Sequence, residues 1–353
     1  MSERIAVVGA GAVGGYLGAH IARDGRDVVL IDAWPEHVEA MRTRGLVIEG
    51  MTEAEGFTIK PRALHISDVQ SLIKEKPIDV AIVAVKSYDT IWATQLISSY
   101  LSPAGYVVSA QNAINEERVA GVVGWGRTVG CMLLNGFAVD LYEPGRIRRT
   151  MVRVPGVAAI EVGEVHGRTT PRLGRLAEIL GSSDTVHMTS NLWGVRWSKL
   201  CVNGMRNGVS AATGLGGNAR DVHPIIRRVV VKLCGEAVRV GQALGYELED
   251  IIGLAPDLYA RASLGDEQAM ATVIAAMDRW STGGGRSNLQ RPSMGQDIAK
   301  GRRTEIDAIN GFVADKGDEI GVDAPTHRAL ATVVREIEAG RLKARPETLF
   351  HLA

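Results

Sequence analysis

The spacing of apolar positions changes character once along the chain. In the first half, short continuous apolar runs alternate with stretches of helical period. That is the pattern of a parallel sheet whose crossover helices cover both faces. "RIAVVGAG" predicts a strand running into a turn, "AVGGYLGAHIARDG" a helix stopped at Gly25, and "DVVLID" and "PEHVEAMRTRG" the next strand and helix. "DVAIVAVK", "GYVVSAQNA", "TVGCMLL" and "VAAIEVGE" predict further strands, with a helix over about 88–99 following the first of these. "TPRLGRLAEILG" and "DTVHMT" read as the last helix and strand. Beyond residue 190 the strand runs stop. "NLWGVRWSKLCVNGMRNGVSAATG", "PIIRRVVVKLCGEAVRVGQALG", "EQAMATVIAAMDRW", "MGQDIAKGRRTEIDAINGFVADKG" and "PTHRALATVVREIEAG" all carry helical period. The expected architecture is α/β: a doubly wound, Rossmann-like sheet over 1–187, then an all-helical domain over 188–353. The glycines of "STGGGRSNLQRP" predict a mobile loop over 281–292.

Composition excludes more than it specifies. The chain has 353 residues, 46% of them hydrophobic, enough for two cores. Its 40 basic and 40 acidic residues cancel and no basic tract stands out, so a nucleic-acid partner is not expected. No apolar run approaches membrane length and "MSERIAVVGAG" lacks a secretory n-region, so neither a membrane partner nor export is expected. Cys131, Cys201 and Cys234 are far apart and fit no metal or redox spacing; they read as reduced thiols of a cytoplasmic protein.

The first candidate chemistry sits where the first strand meets the first helix. "VVGAGAVGG" places Gly9, Gly11 and Gly14 in G-x-G-x-x-G spacing, between a strand and an amphipathic helix. The first glycine permits the tight turn, the second lets a pyrophosphate approach the backbone, and the third lets helix and strand pack closely. The helix N-terminus, with Ala12 and Val13, turns unpaired N–H groups toward the phosphates. Asp32 ends the next strand. A carboxylate there can accept from the ribose hydroxyls and would repel a 2′-phosphate, which favours NAD over NADP. The bland alternative is a turn cap before Pro35. Arg42 and Arg44 are expected at the far end of the following helix.

The second candidate is "SKLCVNGMRNGVSA", residues 198–211. Lys199, Asn203 and Asn207 recur every four residues, a step that overshoots one helical turn by about 40°, so they form one stripe on an otherwise apolar helix. A lysine in apolar surroundings has a lowered pKa and can trade a proton near neutral pH, and two amides add hydrogen bonds without charge. Alternatively the lysine reaches solvent and the amides satisfy backbone groups between helices.

Four stretches, "VAVKSYD", "QNA", "WSKLCVNGMRNGVSA" and "PSMGQDIAKGRRTEIDAINGFV", taken with the glycine turn and in this order, resemble the ketopantoate reductase (2-dehydropantoate 2-reductase) family. The resemblance implies that Lys199 protonates the substrate carbonyl and that Asn203, Asn207 and Ser293 bind substrate. It implies that Glu305 supports the site and reaches the cofactor, that Asn112 lies between cofactor and substrate, and that Lys86 lies beside the cofactor. A further family asparagine corresponds to Asn218. The chain departs from the pattern at Asp32, where the family carries an arginine for NADP, at Asn112-Ala113 in place of asparagine–glycine, and at Pro292-Ser293 in place of paired serines. It also reads as longer than typical members. In its cofactor acid it is similar to NAD-dependent D-2-hydroxyacid dehydrogenases of the mandelate type.

The expected activity is therefore interconversion of a small-molecule 2-oxo acid and 2-hydroxy acid with NAD(P), NAD favoured. The long apolar helices make a homodimer the expected assembly. Trp193 and Trp197 read as core at the domain interface. A 3-hydroxyacid dehydrogenase offers a similar lysine and asparagine, but "SMGQDI" and "TEID" argue against it. A non-catalytic dinucleotide-binding regulator has no reason to keep the lysine, asparagines, serine and glutamate together.

Overall fold

The computed structural model describes residues 3–134, 136–154, 156–282 and 291–353. Residues 283–290, the centre of the loop expected from the glycine run, lie outside the described residues. The chain divides into two compact units, Met1–Leu192 and Trp193–Ala353.

The first unit contains twelve strands among its described residues: β1 (Arg4–Val8), β2 (Asp27–Asp32), β3 (Leu46–Glu49), β4 (Phe57–Ile59), β5 (Arg62–His65), β6 (Ile78–Val83), β7 (Leu101–Ser109), β8 (Thr128–Leu133), β9 (Val139–Glu143), β10 (Arg146–Arg149), β11 (Ile160–Glu164) and β12 (Val186–Thr189). Its α-helices are α1 (Ala12–Arg23), α2 (Pro35–Thr43), α3 (Thr90–Ser98), α4 (Glu116–Val123) and α5 (Pro171–Gly181). Eight strands form one sheet in the order β12-β11-β8-β7-β6-β1-β2-β5. Successive residues of its central strands enter opposite cores: Ile5, Val7, Val80 and Ile82 join one cluster, and Ala6, Val8, Ala81 and Val83 the other. A sheet buried on both faces has no use for polar alternation, which is why these strands read as continuous apolar runs. Burying one such valine or isoleucine is worth about 1.5–3 kcal/mol.

Two features depart from a simple parallel sheet. β11 pairs with β8 antiparallel, Val162 opposite Cys131, while β11 and β12 are parallel. No helix lies among the described residues between β8 and β11, so no helical crossover carries the chain back to the same end. The intervening chain instead builds part of a second sheet, ordered β4-β3-β10-β9, that the hydrophobic pattern did not disclose. Ile147 of β10 packs so closely on α1 that a Cβ on Gly15 would come within 2.5 Å of its Cδ1.

The second unit is built of helices joined by turns and loops, with no strand among its described residues and one isolated bridge, Ile251–Leu254. It holds α6 (Leu192–Thr213), which begins at the last residue of the first unit, then α7 (Gly217–Val222), α8 (Ile226–Ala243), α9 (Pro256–Ser263), α10 (Glu267–Thr282), α11 (Ser293–Ala299), α12 (Phe312–Ile320) and α13 (Pro325–Glu338). Trp197 is fully buried in this unit, its Nε1 donating to the Ala237 carbonyl at 2.7 Å and its ring beside Tyr246 and Phe312. These partners all belong to the helical unit. The stretch read as one helix over 294–317 is interrupted. Gly301 takes φ +63, and Gly301 N–H and Arg302 N–H donate back to Ile298 and Asp297 carbonyls, a left-handed glycine stop. The chain resumes as a π-helical segment, Asp307–Gly311, that runs into α12. No described helix is long and apolar enough to cross a membrane.

Candidate active site

In the first unit the glycine turn follows β1, the strand at which the sheet's chain order reverses direction, where open α/β sheets bind ligands. Gly9 has φ +90, and a Cβ there would meet Val85 N at 2.8 Å; a Cβ on Gly14 would meet Gly9 O at 2.0 Å. No other residue fits either position. Gly11, by contrast, caps α1 with nothing within 4 Å of where a Cβ would stand. Two glycines packed shut and one facing open space, at the start of a helix whose first amides are Ala12 and Val13, fit the pyrophosphate of a dinucleotide.

Asp32 is partly buried, and its Oδ1 accepts from Trp34 N–H at 2.8 Å. That is the capping contact; Oδ2 has no partner among the described residues and remains available to a ribose. Arg42 sits in the last turn of α2 and donates to Asp68 Oδ2 at 2.6 Å and Ala63 O at 2.9 Å. Arg44 donates to Pro144 O at 3.5 Å. Both arginines thus have partners of their own.

Lys86 and Asn112 follow the C-terminal ends of β6 and β7, and both are partly buried. A polar network that the sequence did not point out ties their loops together. Gln111 Nε2 donates to Val85 O and Thr90 Oγ1, both at 2.8 Å. Asn115 Nδ2 donates to Ser87 Oγ at 3.1 Å and to the Asn112 carbonyl at 2.8 Å, and Arg118 Nη1 donates to Ser87 O and Asn115 Oδ1. The signal was present as "QNA" and "KSYD", but pairing between loops some 25 residues apart has no local periodicity. Ala113, where the family resemblance leads one to expect glycine, has φ +63. A left-handed alanine costs about 1–2 kcal/mol, against about 0.4–1 kcal/mol gained from its stiffer unfolded chain. Ala113→Gly should therefore raise the unfolding temperature slightly, and Ala113→Val should lower it by several degrees; a marked loss in the glycine variant on thermal unfolding would remove the strain.

In the second unit the stripe on α6 is as the spacing requires. Asn203 and Asn207 are buried, and Lys199 keeps only part of its surface exposed. Burial, aided by the charge of Arg206, pulls the Lys199 pKa from its usual value down to about 7. The adjoining face of the helix explains how the stripe is held. A Cβ on Gly204 would lie 2.9 Å from His327 Cε1, and one on Gly208 would lie 2.9 Å from Asn310 Oδ1 and 3.1 Å from Ile306 Cδ1. Asn310 Nδ2 donates to the Gly204 carbonyl at 2.9 Å and stands 3.1 Å from His327 Nδ1, while His327 Nε2 lies 2.8 Å from the Leu233 carbonyl. The carbonyl fixes the proton on Nε2 and leaves Nδ1 to accept. At its end α6 is capped by distant chain: the Ala212 carbonyl accepts from Arg345 N–H at 3.0 Å and Thr348 Oγ1 at 3.1 Å.

Ser293 and Glu305 approach α6 through their neighbours. A Cβ on Gly295 would lie 2.6 Å from Ser210 Oγ, so α11 crosses α6 in close contact. Ser293 is the first residue of α11, after the cap residue Pro292; its hydroxyl caps nothing and is buried with no partner among the described residues. Glu305 is buried and immediately precedes Ile306, the residue against Gly208. Asn218 lies in α7.

Comparison with known proteins agrees along almost the whole chain. The family model described as "Ketopantoate reductase PanE/ApbA" matches residues 5–165, and "Ketopantoate reductase PanE/ApbA C terminal" matches residues 191–338. The 2-dehydropantoate 2-reductase of Archaeoglobus fulgidus is 26% identical over 344 residues, covering 96% of this chain and 99% of that one. The length that reads as unusual is thus shared with this relative. Among solved structures, a PanE/ApbA family ketopantoate reductase from Ralstonia eutropha is 27% identical with a TM-score of 0.75, covering 96% and 99% of the two chains. D-mandelate dehydrogenase, solved with NADH and anilino(oxo)acetate, shares the fold at TM-score 0.76 and 24% identity, covering 96% and 99%. With both family models matched in order on a glycine-turn sheet unit and a helical unit, this chain belongs to the ketopantoate reductase family of oxidoreductases.

Proposed function

We propose that the protein interconverts a 2-oxo acid and a 2-hydroxy acid, with NAD(H) as the preferred cofactor and Lys199 as proton donor and acceptor. The observation that carries this reading is the stripe of partly buried Lys199 and buried Asn203 and Asn207 on one helix of the second unit. A nicotinamide cofactor held at Gly9, Gly11, Ala12, Val13 and Gly14 supplies the hydride when bound. In reduction the Lys199 ammonium donates to the ketone oxygen and passes its proton as negative charge grows there; in oxidation the neutral amine takes the hydroxyl proton. Asn203 and Asn207 hold the substrate's oxygens without adding charge, and the Ser293 hydroxyl, buried with no partner among the described residues, supplies one more contact. By the family resemblance, Glu305 supports the site and reaches the cofactor, Asn112 lies between cofactor and substrate, and Lys86 lies beside the cofactor. A homodimer in the cytoplasm is part of the same reading.

The test is a two-by-two assay of NADH or NADPH with ketopantoate or an aromatic 2-oxo acid. Turnover of at least one 2-oxo acid is expected, faster with NADH. Dinucleotide binding with no turnover across a panel of 2-oxo and 3-oxo acids would sink the proposal. For Ser293→Ala, steady-state kinetics should show KM raised several-fold with little change in kcat, since a uniformly binding contact acts on KM. An unchanged KM with a lowered melting temperature would make Ser293 a packing residue.

A further inference from the structure

His37, the third residue of α2, is fully buried. Its Nδ1 lies 2.9 Å from Gly145 N, and its Nε2 lies 2.8 Å from the Ala10 carbonyl oxygen. A backbone N–H can only donate and a carbonyl can only accept. The two partners therefore fix the ring, with a lone pair at Nδ1 toward Gly145 and the proton at Nε2 toward Ala10. The Trp34 ring stacks on it, centroids 5.8 Å apart and planes 28° from parallel.

The imidazole thus joins three segments remote in sequence: the glycine turn, α2, and the turn between β9 and β10. Gly145 is a firm anchor, because its own carbonyl accepts from Val47 N–H at 2.8 Å inside the small sheet. Ala10, at the other end, stands between Gly9 and Gly11. The peptide from Ala10 to Gly11 is trans and planar, so its C=O and N–H point in opposite directions. With the carbonyl held toward His37, the Gly11 N–H is turned away from it. Gly11 is partly exposed and has nothing within 4 Å of where a Cβ would stand, so open space lies beside that peptide on the Gly11 side.

We propose that His37 is a positioning residue for the dinucleotide: it sets the Ala10–Gly11 peptide so that the Gly11 N–H faces the pyrophosphate, and it braces that peptide against the small sheet. The role rests on the cofactor reading above. It gives the small sheet a purpose that its short strands alone do not reveal, that of a back wall for the nucleotide turn.

The experiment titrates wild type, His37→Leu, His37→Gln and His37→Asn with NADH, ADP-ribose and adenosine, alongside steady-state kinetics. His37→Leu should weaken NADH and ADP-ribose by about five- to tenfold, the weight of one lost hydrogen bond with its partner left unpaired. Adenosine, which has no phosphate, should bind as before, and kcat at saturating NADH should hold while KM rises. His37→Gln carries an acceptor and a donor side by side and should restore affinity, whereas His37→Asn, one bond shorter, should restore less. If the leucine variant does not fold, the Gln and Asn pair carries the same comparison. Equal ADP-ribose affinity in wild type, Leu and Asn forms, or equal Gln and Asn affinities where Leu does not fold, overturns the role of His37. A wild type that binds no dinucleotide overturns instead the cofactor reading on which it stands.

Discussion

Lys199→Ala is expected to lower turnover by about 10²–10⁴-fold, the usual weight of one positioned proton donor. Cofactor affinity should change little, because the reading gives Lys199 the proton and the glycine turn the dinucleotide. The wild-type pH profile offers a second readout. Burial lowers the Lys199 pKa to about 7, with Arg206 adding to the shift. Reduction needs the ammonium, so kcat/KM for the 2-oxo acid should fall as pH rises through about 7. Oxidation needs the amine, so kcat/KM for the 2-hydroxy acid should rise over the same interval. The folding sign is the reverse of that for a salt-bridged lysine. A depressed pKa means the native state binds fewer protons than the unfolded one between about 7 and the ordinary lysine value, so this group's contribution to stability grows with pH across that window. Near-normal turnover of the alanine variant at saturating substrate would exclude Lys199 as the acid.

NAD(H) should be preferred over NADP(H) by at least about tenfold in kcat/KM, on account of Asp32. A 2′-phosphate carries about two negative charges and would displace the ribose hydroxyl from the carboxylate. Loss of one charged hydrogen bond is about 1.5–3 kcal/mol, or roughly 10- to 150-fold. Repulsion adds to this, more at low salt than at high. The structure limits rescue by neighbours, since Arg42 is paired with Asp68 and Arg44 donates to Pro144 O. Asp32→Ser should shrink the ratio and Asp32→Arg should invert it by pairing with the phosphate. Asp32→Ser also replaces the acceptor for Trp34 N–H, so a drop in melting temperature without a change in cofactor ratio would assign Asp32 to capping alone. Measured kcat/KM for the two reduced cofactors decides the matter.

The parts legible in the sequence were those written in local repeats. Gly9, Gly11 and Gly14 sit within six residues, and Lys199, Asn203 and Asn207 within nine, so spacing alone placed them. The small sheet escaped because its strands are three to five residues long and β10 reads "RIRR", whose buried face carries Ile147 but also the polar Arg149. Its pairing of Arg146 with Val47 joins residues about a hundred apart, and no periodicity records such a partner. The helix break at Gly301 was hidden for a different reason: a single glycine within an apolar period costs a helix only about 1 kcal/mol, so the pattern on either side outweighed it. His37, Asn310 and His327 were missed because a buried polar residue discloses its role only through partners that sequence does not place beside it.

The caps on α6 also give the chain a schedule. Thr348 lies 136 residues beyond the Ala212 carbonyl that it satisfies, and Asn310 lies 106 residues beyond Gly204. At a synthesis rate of about 5–20 residues per second, the helix bearing Lys199 emerges roughly 7–27 seconds before the residue that closes its end. The first unit, whose sheet is complete by Thr189, has that interval in which to fold alone. The Lys199 stripe is thus made early and locked late, and a ribosomal pause between residues 213 and 345 would leave the first unit folded while α6 still has an open end.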